Sequence, residues 1–218
     1  MRLTGKKITF LGDSITEGTG VSRLENRFDK RLETGFGIIP FNIGIGVTRI
    51  AHQHMASEKP RYDLCFCGRA YDIPADSDVI VVFGGTNDYG HGDASFWQEG
   101  DKTPDTFTWA VDFLMRLLRE KYPKAVKVFM TPSRRLGDSE PSVRTVPCGE
   151  KRPLGEYVRV IRDSCGKYGF ACLDLYSDLG IDPNDPDQMK MYAPDGLHLN
   201  DLAHAKVASL LVEKLTSM

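Results

Sequence analysis

Five continuous apolar runs of strand length constrain the fold of this chain more than any other feature of its sequence. They occupy residues 6–12, 37–44, 78–85, 126–132 and 170–176. A half-exposed strand alternates apolar and polar residues, whereas an uninterrupted run is typical of a strand buried on both faces. Such strands belong to parallel sheets covered by helices, so the runs predict a parallel sheet of about five strands.

Amphipathic helical patterns separate the runs. The first predicted helix has Thr103 as its cap and Pro104 in its first turn, and it ends near Tyr122. A second pattern spans 154–169 and closes on a glycine, and Asn200 can cap a final helix. This alternation predicts an α/β fold, a three-layer α/β/α sandwich with a five-stranded parallel sheet.

The charge balance limits the partners. The chain has 28 basic and 30 acidic residues and a formal net charge of −2, with no long block of either sign. We expect no nucleic-acid partner, because binding to a polyanion depends on clustered basic residues. No window approaches the ~20 apolar residues of a membrane span, and Lys6 and Lys7 precede any signal-peptide core. We expect one domain over residues 1–218 and a cytoplasmic location, with a removed export signal as the open alternative.

The cysteines favour a reducing compartment, because their number is odd and no spacing repeats. The CxC pair in LCFCG lacks the two further ligands that a zinc site needs, so we expect no metal. The cysteines are Cys65, Cys67, Cys148, Cys165 and Cys172.

Ser14 directly follows the first predicted strand, in ITFLGDSIT. Ligands of open parallel sheets bind at the carboxyl ends of the strands, so this position favours chemistry. Gly12 permits a sharp exit from the strand, and a helix beginning after Ser14 would place backbone N–H groups beside its hydroxyl. Two interpretations stay open here: a nucleophile, or an ordinary helix cap.

A serine nucleophile needs a general base, and histidine is the usual one because its pKa lies near neutrality. In APDGLHLND, Asp195 precedes His198 by three residues, and Gly196 lets the chain turn between them. Asp195 can then accept a hydrogen bond from one imidazole N–H, which fixes the tautomer so that the other ring nitrogen faces the serine. A solvated Asp and His ahead of a helix are the alternative.

Glycine-containing turns follow the second and third predicted strands and can supply the donors that stabilise an oxyanion. FGGTNDYGHG offers the side-chain amide of Asn87, and the glycines of FNIGIGVTRI offer a backbone N–H. Each turn alone has a purely structural interpretation. Such turns at successive strand ends, with a DxxH loop after the last strand, favour acyl transfer.

Together these segments resemble the SGNH or GDSL hydrolase family. GDSITEG resembles its first block, NIGIGVTRI its second, GGTND its third and DGLH its last, and the blocks span residues 9–198. The resemblance implies the flavodoxin-like fold of SGNH hydrolases, with Ser14 as nucleophile, His198 as general base and Asp195 as the residue that orients it. The GxSxG elbow of the rival α/β-hydrolases is absent from the sequence.

The resemblance also implies an oxyanion hole. Its donors would be the backbone N–H of Ser14, the side-chain amide of Asn87 and a backbone N–H of the second block. An ungapped match places Val47 at the family glycine, whereas a one-residue shift places Gly46 there. We expect Gly46 to be the donor, with Val47 as its rival.

The implied reaction is ester hydrolysis through an acyl-enzyme, by an esterase or O-deacylase that needs no cofactor. The expected substrate is a small-molecule or carbohydrate ester. A thioesterase or lysophospholipase would use the same residues on another leaving group. A non-catalytic flavodoxin-like module that binds an anion is the remaining alternative, although it would need no DxxH loop.

Two long connections, 88–103 and 132–152, are candidate lids or binding walls. The first carries Tyr89, His91, Phe96 and Trp97, and the second is rich in arginine. Segment 57–78 is expected to be structural. Ser139 belongs to a second Leu-Gly-Asp-Ser in the arginine-rich loop, and we interpret it as a turn residue.

Overall fold

A computed structural model describes residues 1–142 and 151–218. Its centre is an all-parallel five-stranded sheet with the order β2-β1-β3-β4-β5, which confirms the predicted α/β fold. This order is the flavodoxin-like one. The strands are β1 (Lys7–Gly12), β2 (Ile39–Asn42), β3 (Val79–Phe83), β4 (Val126–Met130) and β5 (Ala171–Leu173).

Helices cover both faces of the sheet. The long ones are α2 (Phe28–Phe36), α5 (Phe107–Lys121), α6 (Leu154–Tyr168) and α9 (Asp201–Thr216). The short ones are α1 (Ser14–Glu17), α3 (Phe66–Arg69), α4 (Thr86–Gly90), α7 (Leu175–Asp178) and α8 (Pro186–Tyr192). Single 3₁₀ turns lie at Leu24–Asn26, Pro60–Asp63 and Ala70–Asp72.

The central strand β3 shows how the sandwich forms. All five of its residues are buried, and successive side chains point to opposite faces. Ile80 and Val82 belong to a core completed by α5 and α6, whereas Val79, Val81 and Phe83 belong to a core completed by α2 and α9. The three layers therefore follow from the uninterrupted apolar run.

β2 departs from the expectation of burial on both faces. Ile39 and Phe41 are 52% and 48% exposed. β2 pairs with β1 alone and forms an edge of the sheet, so one of its faces is not covered. The apolar run predicted the strand, but it does not encode the strand's place in the order.

The start of α5 also differs from the prediction. Thr106 rather than Thr103 is the N-cap residue, because Thr103 is engaged in a local turn. The Thr103 hydroxyl contacts carboxylate oxygens of Asp101 at 2.6 Å and Asp105 at 2.7 Å. The predicted end near Tyr122 is confirmed.

The other two helix predictions are confirmed. α6 ends at Gly169, which adopts a left-handed conformation with φ of 68°. The side chain of Asn200 caps α9 by accepting hydrogen bonds from the N–H groups of Leu202 and Ala203.

Candidate active site

The first strand delivers Ser14 to the carboxyl edge of the sheet. β1 ends at Gly12, where an added Cβ would lie 2.0 Å from the Thr16 hydroxyl, so no side chain fits at this exit. Asp13 caps α1 by accepting a hydrogen bond from the Ile15 N–H at 3.0 Å. The capping role therefore belongs to Asp13, and the hydroxyl of Ser14 remains available for other contacts.

Ser14, His198 and Asp195 form one chain of hydrogen bonds. Ser14 Oγ lies 3.0 Å from His198 Nε2, and His198 Nδ1 lies 2.6 Å from Asp195 Oδ2. Because an ionised carboxylate only accepts, Nδ1 is the protonated nitrogen and Nε2 is free to accept from the serine hydroxyl. The structure brings Ser14 into contact with His198, which lies 184 positions further along the sequence.

Asp195 is held in its ionised form by its own loop. Partial burial opposes ionisation, but hydrogen bonds from the His198 ring, the His198 N–H and the Leu197 N–H outweigh it. The two backbone N–H groups donate to Asp195 Oδ1 at 2.7 and 2.9 Å. The pKa of Asp195 therefore lies below its ordinary value, and the carboxylate is oriented on the imidazole.

Asn87 lies in the first turn of α4 and is 3% exposed. Its amide nitrogen donates to the carbonyl oxygen of Thr48 at 3.0 Å. This bond fixes the orientation of the amide and uses one of its two hydrogens. The second hydrogen is left for a ligand in the cavity that Asn87 lines together with Ser14 and His198.

Gly46 and Val47 of the second block lie beside Ser14, and their backbone N–H groups differ in hydrogen bonding. The Gly46 N–H donates to Glu17 Oε2 at 2.7 Å, and Glu17 Oε1 accepts from Arg61 at 2.8 Å. Within the described residues, no backbone carbonyl oxygen accepts a hydrogen bond from the N–H groups of Val47 or Ser14. Val47 has φ of 71°, a left-handed backbone.

These residues border a cavity of about 510 Å³ at the strand ends. Its lining combines the nucleophile candidate and its neighbours with polar and aromatic side chains. The lining residues are Ser14, Glu17, Thr19, Gly46, Val47, Arg61, Tyr62, Asn87, His91, Leu197 and His198.

Segment 57–78 was expected to be structural, and this expectation is wrong for Arg61 and Tyr62, which line the cavity. They lie on the 3₁₀ turn Pro60–Asp63. A connection without helical or strand periodicity carries no sequence signal of where it crosses the sheet. Other parts of the segment are structural, since Arg69 is buried and donates to backbone oxygens of Ile43 and Gly12.

Of the four residues singled out in 88–103, His91 lines the cavity. Tyr89 is buried and donates to the carbonyl oxygens of Gly137 and Glu140, and Phe96 packs on Tyr157 and Phe107. Trp97 is 52% exposed. Tyr89 and Phe96 therefore support the fold, and Tyr89, Phe96 and Trp97 are not among the residues that line the cavity.

The arginine-rich loop 132–152 is described in part. Arg134 pairs with Asp138 and Asp182, and Arg135 stacks over Tyr89. Ser139 lies in a turn away from Ser14, as predicted, and donates to Asp138. Arg144, Cys148 and Glu150 lie outside the described residues.

Two histidines of the segment RIAHQHM lie outside the cavity. His52 contacts the carboxylate of Asp105, and His54 contacts the carbonyl oxygen of the same residue.

In the part of the chain that the structure describes, no group of three or more His, Cys, Asp or Glu side chains could hold a metal ion. None of the helices described there is long and apolar enough to cross a membrane.

Comparison with known proteins agrees with this fold. The sequence matches the model of the GDSL-like Lipase/Acylhydrolase family over residues 10–206, and the chain belongs to this family. A search of curated protein sequences found no significant match.

Solved structures share the fold over the full chain. A protein from Lactobacillus plantarum is 31% identical, with a TM-score of 0.82, and the match covers 99% of this chain and 98% of that one. A carbohydrate acetylesterase family member from Sinorhizobium meliloti is 18% identical, with a TM-score of 0.67 and coverage of 97% and 98%. A two-domain esterase active on acetylated mannans is 17% identical, with a TM-score of 0.61, over 98% of this chain and 50% of that one.

Proposed function

We propose that this chain hydrolyses carboxylic esters through an acyl-enzyme on Ser14. The observation that carries the proposal is the chain of hydrogen bonds from Ser14 through His198 to Asp195, which opens on the cavity. His198 Nε2 accepts the serine proton during attack on the ester carbonyl. Ionised Asp195 keeps Nδ1 protonated and stabilises the imidazolium that forms.

The negative charge that develops on the carbonyl oxygen is stabilised by three N–H donors. These are the backbone N–H of Ser14, the side-chain amide of Asn87 and the backbone N–H of Val47. We choose Val47 over Gly46, because the Gly46 N–H already donates to the carboxylate of Glu17. Each donor is typically worth about 3 to 4 kcal/mol in the transition state.

Hydrolysis then proceeds in two proton-balanced steps. His198 returns its proton to the leaving alkoxide, so the alcohol departs and the acyl group stays on Ser14. A water molecule gives a proton to His198 and attacks the acyl-enzyme, and the same proton restores the Ser14 hydroxyl. The sequence of steps requires no cofactor and no metal.

The proposed substrate class is a short-chain ester of a small or carbohydrate alcohol. The cavity offers hydrogen-bonding groups on Glu17, Arg61 and His91, which suit a polyhydroxylated alcohol. Structural neighbours named for carbohydrate esters and acetylated mannans point in the same direction.

A fluorophosphonate probe tests the nucleophile directly. We expect one adduct, mapped to Ser14 by mass spectrometry, and a loss of p-nitrophenyl acetate turnover of about 10⁴-fold or more in Ser14→Ala. Ser139→Ala is the matched control, because it removes the serine of the second Leu-Gly-Asp-Ser. Labelling at Ser139, or full turnover in Ser14→Ala, would overturn the proposal. A panel of acetylated sugars, short acyl esters and lysophospholipids then identifies the substrate.

A further inference from the structure

Val47 combines an unfavourable backbone with an accessible position. Within residues 1–142 and 151–218 it is the one non-glycine residue with a positive φ. A β-branched residue rarely adopts this conformation, because its Cβ crowds the backbone. Such outliers persist where the surrounding structure determines them, and they concentrate at functional sites.

The surrounding turn accounts for the conformation of Val47. The Thr48 hydroxyl donates to the Ile45 carbonyl oxygen at 2.6 Å, and the Gly44 N–H donates to the Asn42 side chain at 2.9 Å. An added Cβ on Gly44 would lie 2.4 Å from the Glu17 backbone nitrogen. The turn therefore places glycine where space is lacking, while valine occupies the position where a glycine would relieve backbone strain.

The side chain of Val47 does not offset this strain by packing, because it belongs to neither of the two hydrophobic cores beside the sheet. It is partly exposed, and it lines the cavity beside Ser14 and Asn87. A larger side chain than glycine at this point occupies space next to the reacting carbon. What distinguishes valine from glycine at this position is therefore the volume that its side chain fills in the cavity.

The direction of the reaction indicates which part of the substrate meets Val47. His198 protonates the leaving alcohol, so the alcohol lies on the His198 side of the reacting carbon. The acyl group is the other substituent of that carbon, and Val47 of the second block lines the same cavity as Ser14 and His198. On the basis of the proposed function, we infer that Val47 is a specificity-determining residue that limits the acyl group to about the size of acetyl.

The test measures kcat/KM for p-nitrophenyl acetate, butyrate and hexanoate. We expect the wild type to prefer acetate, and Val47→Ala to raise the butyrate-to-acetate ratio about tenfold or more, in the range typical of hydrophobic pockets. Val47→Ala keeps a strained Cβ at positive φ, whereas Val47→Gly also releases the strain. A similar rise in both variants therefore assigns the effect to side-chain volume. Val47→Thr, which keeps the branched shape, should retain the wild-type ratio.

Several outcomes would overturn the inference. An unchanged butyrate-to-acetate ratio in Val47→Ala or a wild-type preference for hexanoate would each do so. Fluorophosphonate labelling of Ser14 separates this failure from that of the proposed function. Intact labelling with an unchanged ratio refutes the role of Val47 alone, whereas absent labelling and absent turnover refute the esterase proposal. Thermal unfolding of each variant confirms that the compared proteins are folded.

Discussion

The backbone N–H of Leu136 donates to the carbonyl oxygen of Gly196 at 2.8 Å. This bond joins the second Leu-Gly-Asp-Ser to the loop that carries Asp195 and His198. Gly196 has φ of 78°, and a Cβ added there would lie 2.7 Å from Leu136 Cβ. The repeated tetrapeptide therefore contacts the candidate site as a support of the histidine loop.

Gly196→Ala should displace this loop. The added methyl group must move against Leu136 while also adopting a positive φ, so the Asp195–His198 segment shifts relative to Ser14. We expect kcat for p-nitrophenyl acetate to fall at least tenfold, since small displacements of catalytic groups are costly. Steady-state kinetics and the rate of fluorophosphonate labelling measure the effect.

Gly100→Ala is a matched control for that substitution. Gly100 also has φ of 78°, but nothing lies within 4 Å of an added Cβ. It should show the loss of stability that a strained alanine causes and leave turnover unchanged. Equal turnover in Gly196→Ala and the wild type would contradict the supporting role of Leu136.

Asp138 holds the same supporting turn together. Its side chain is fully buried and accepts hydrogen bonds from the side chains of Arg134 and Asn184 and from the Arg135 N–H. Asp138→Ala leaves these donors unsatisfied, so we expect a loss of about 3 kcal/mol in the free energy of unfolding. Urea denaturation measures the loss. Ser139→Ala, one residue away, should stay within about 0.5 kcal/mol of the wild type.

Asp195→Asn tests the orientation of His198 separately from the fold. The amide oxygen can accept hydrogen bonds from the Leu197 and His198 N–H groups, but the NH₂ group cannot accept a hydrogen bond from the Nδ1–H group. The imidazole then adopts the wrong tautomer or rotates, and we expect kcat to fall by about 10³- to 10⁴-fold with little change in KM. A variant that keeps wild-type kcat would exclude Asp195 from the proposed mechanism. The melting temperature serves as the control for folding.

Sequence patterns correctly predicted those helices and strands whose local residue preferences agree with the tertiary structure around them. The continuous run of β3, the glycine that ends α6 and the Asn200 cap of α9 all belong to this group. The conjunction of GDS, GTND and DGLH at strand ends also predicted which side chains would meet. The roles of these residues, and the single domain over residues 1–218, stay predictions.

The remaining features depend on tertiary context that a local pattern does not contain. Threonine is an acceptable N-cap residue, but the Thr103 hydroxyl contacts the carboxylates of Asp101 and Asp105 and does not cap the helix. Arg61 lines the cavity, but it lies in segment 57–78, whose sequence has no helical or strand periodicity that would predict this position. Glu17 engages the Gly46 N–H through its side-chain conformation, which no spacing in the second block indicates.

We expect His204 to make the free energy of unfolding depend on pH. Its ring is fully buried on α9 and stacks on Phe28, with ring centroids 5.6 Å apart. Nδ1 accepts a hydrogen bond from the Phe28 N–H at 3.3 Å, and Nε2 has no hydrogen-bond partner among the described residues. Burial lowers the pKa of His204 to about 4, although the nearby Asp29 opposes the change.

A lowered pKa in the folded state means that the unfolded chain binds the proton more tightly. The contribution of neutral His204 is therefore complete above pH ~6.5, the ordinary pKa of histidine, and is lost as the pH falls toward 4. The loss at pH ~4.5 should be on the order of 2 to 3 kcal/mol. His204→Asn retains an acceptor for the Phe28 N–H and does not titrate, so its unfolding free energy should lack this decline.

The comparison must be made as a difference between proteins, because Asp13 acts in the opposite direction. Burial raises the pKa of Asp13 to about 7, against the hydrogen bond from Ile15 and the charge of Arg69. Its contribution is therefore complete at low pH and is lost as the pH rises from about 4 through 7. Urea denaturation measures the unfolding free energies of the wild type and His204→Asn between pH 7 and 4.5. The contribution of Asp13 is the same in both proteins and cancels in the difference. Parallel curves for the two proteins would show that His204 does not titrate as its burial requires.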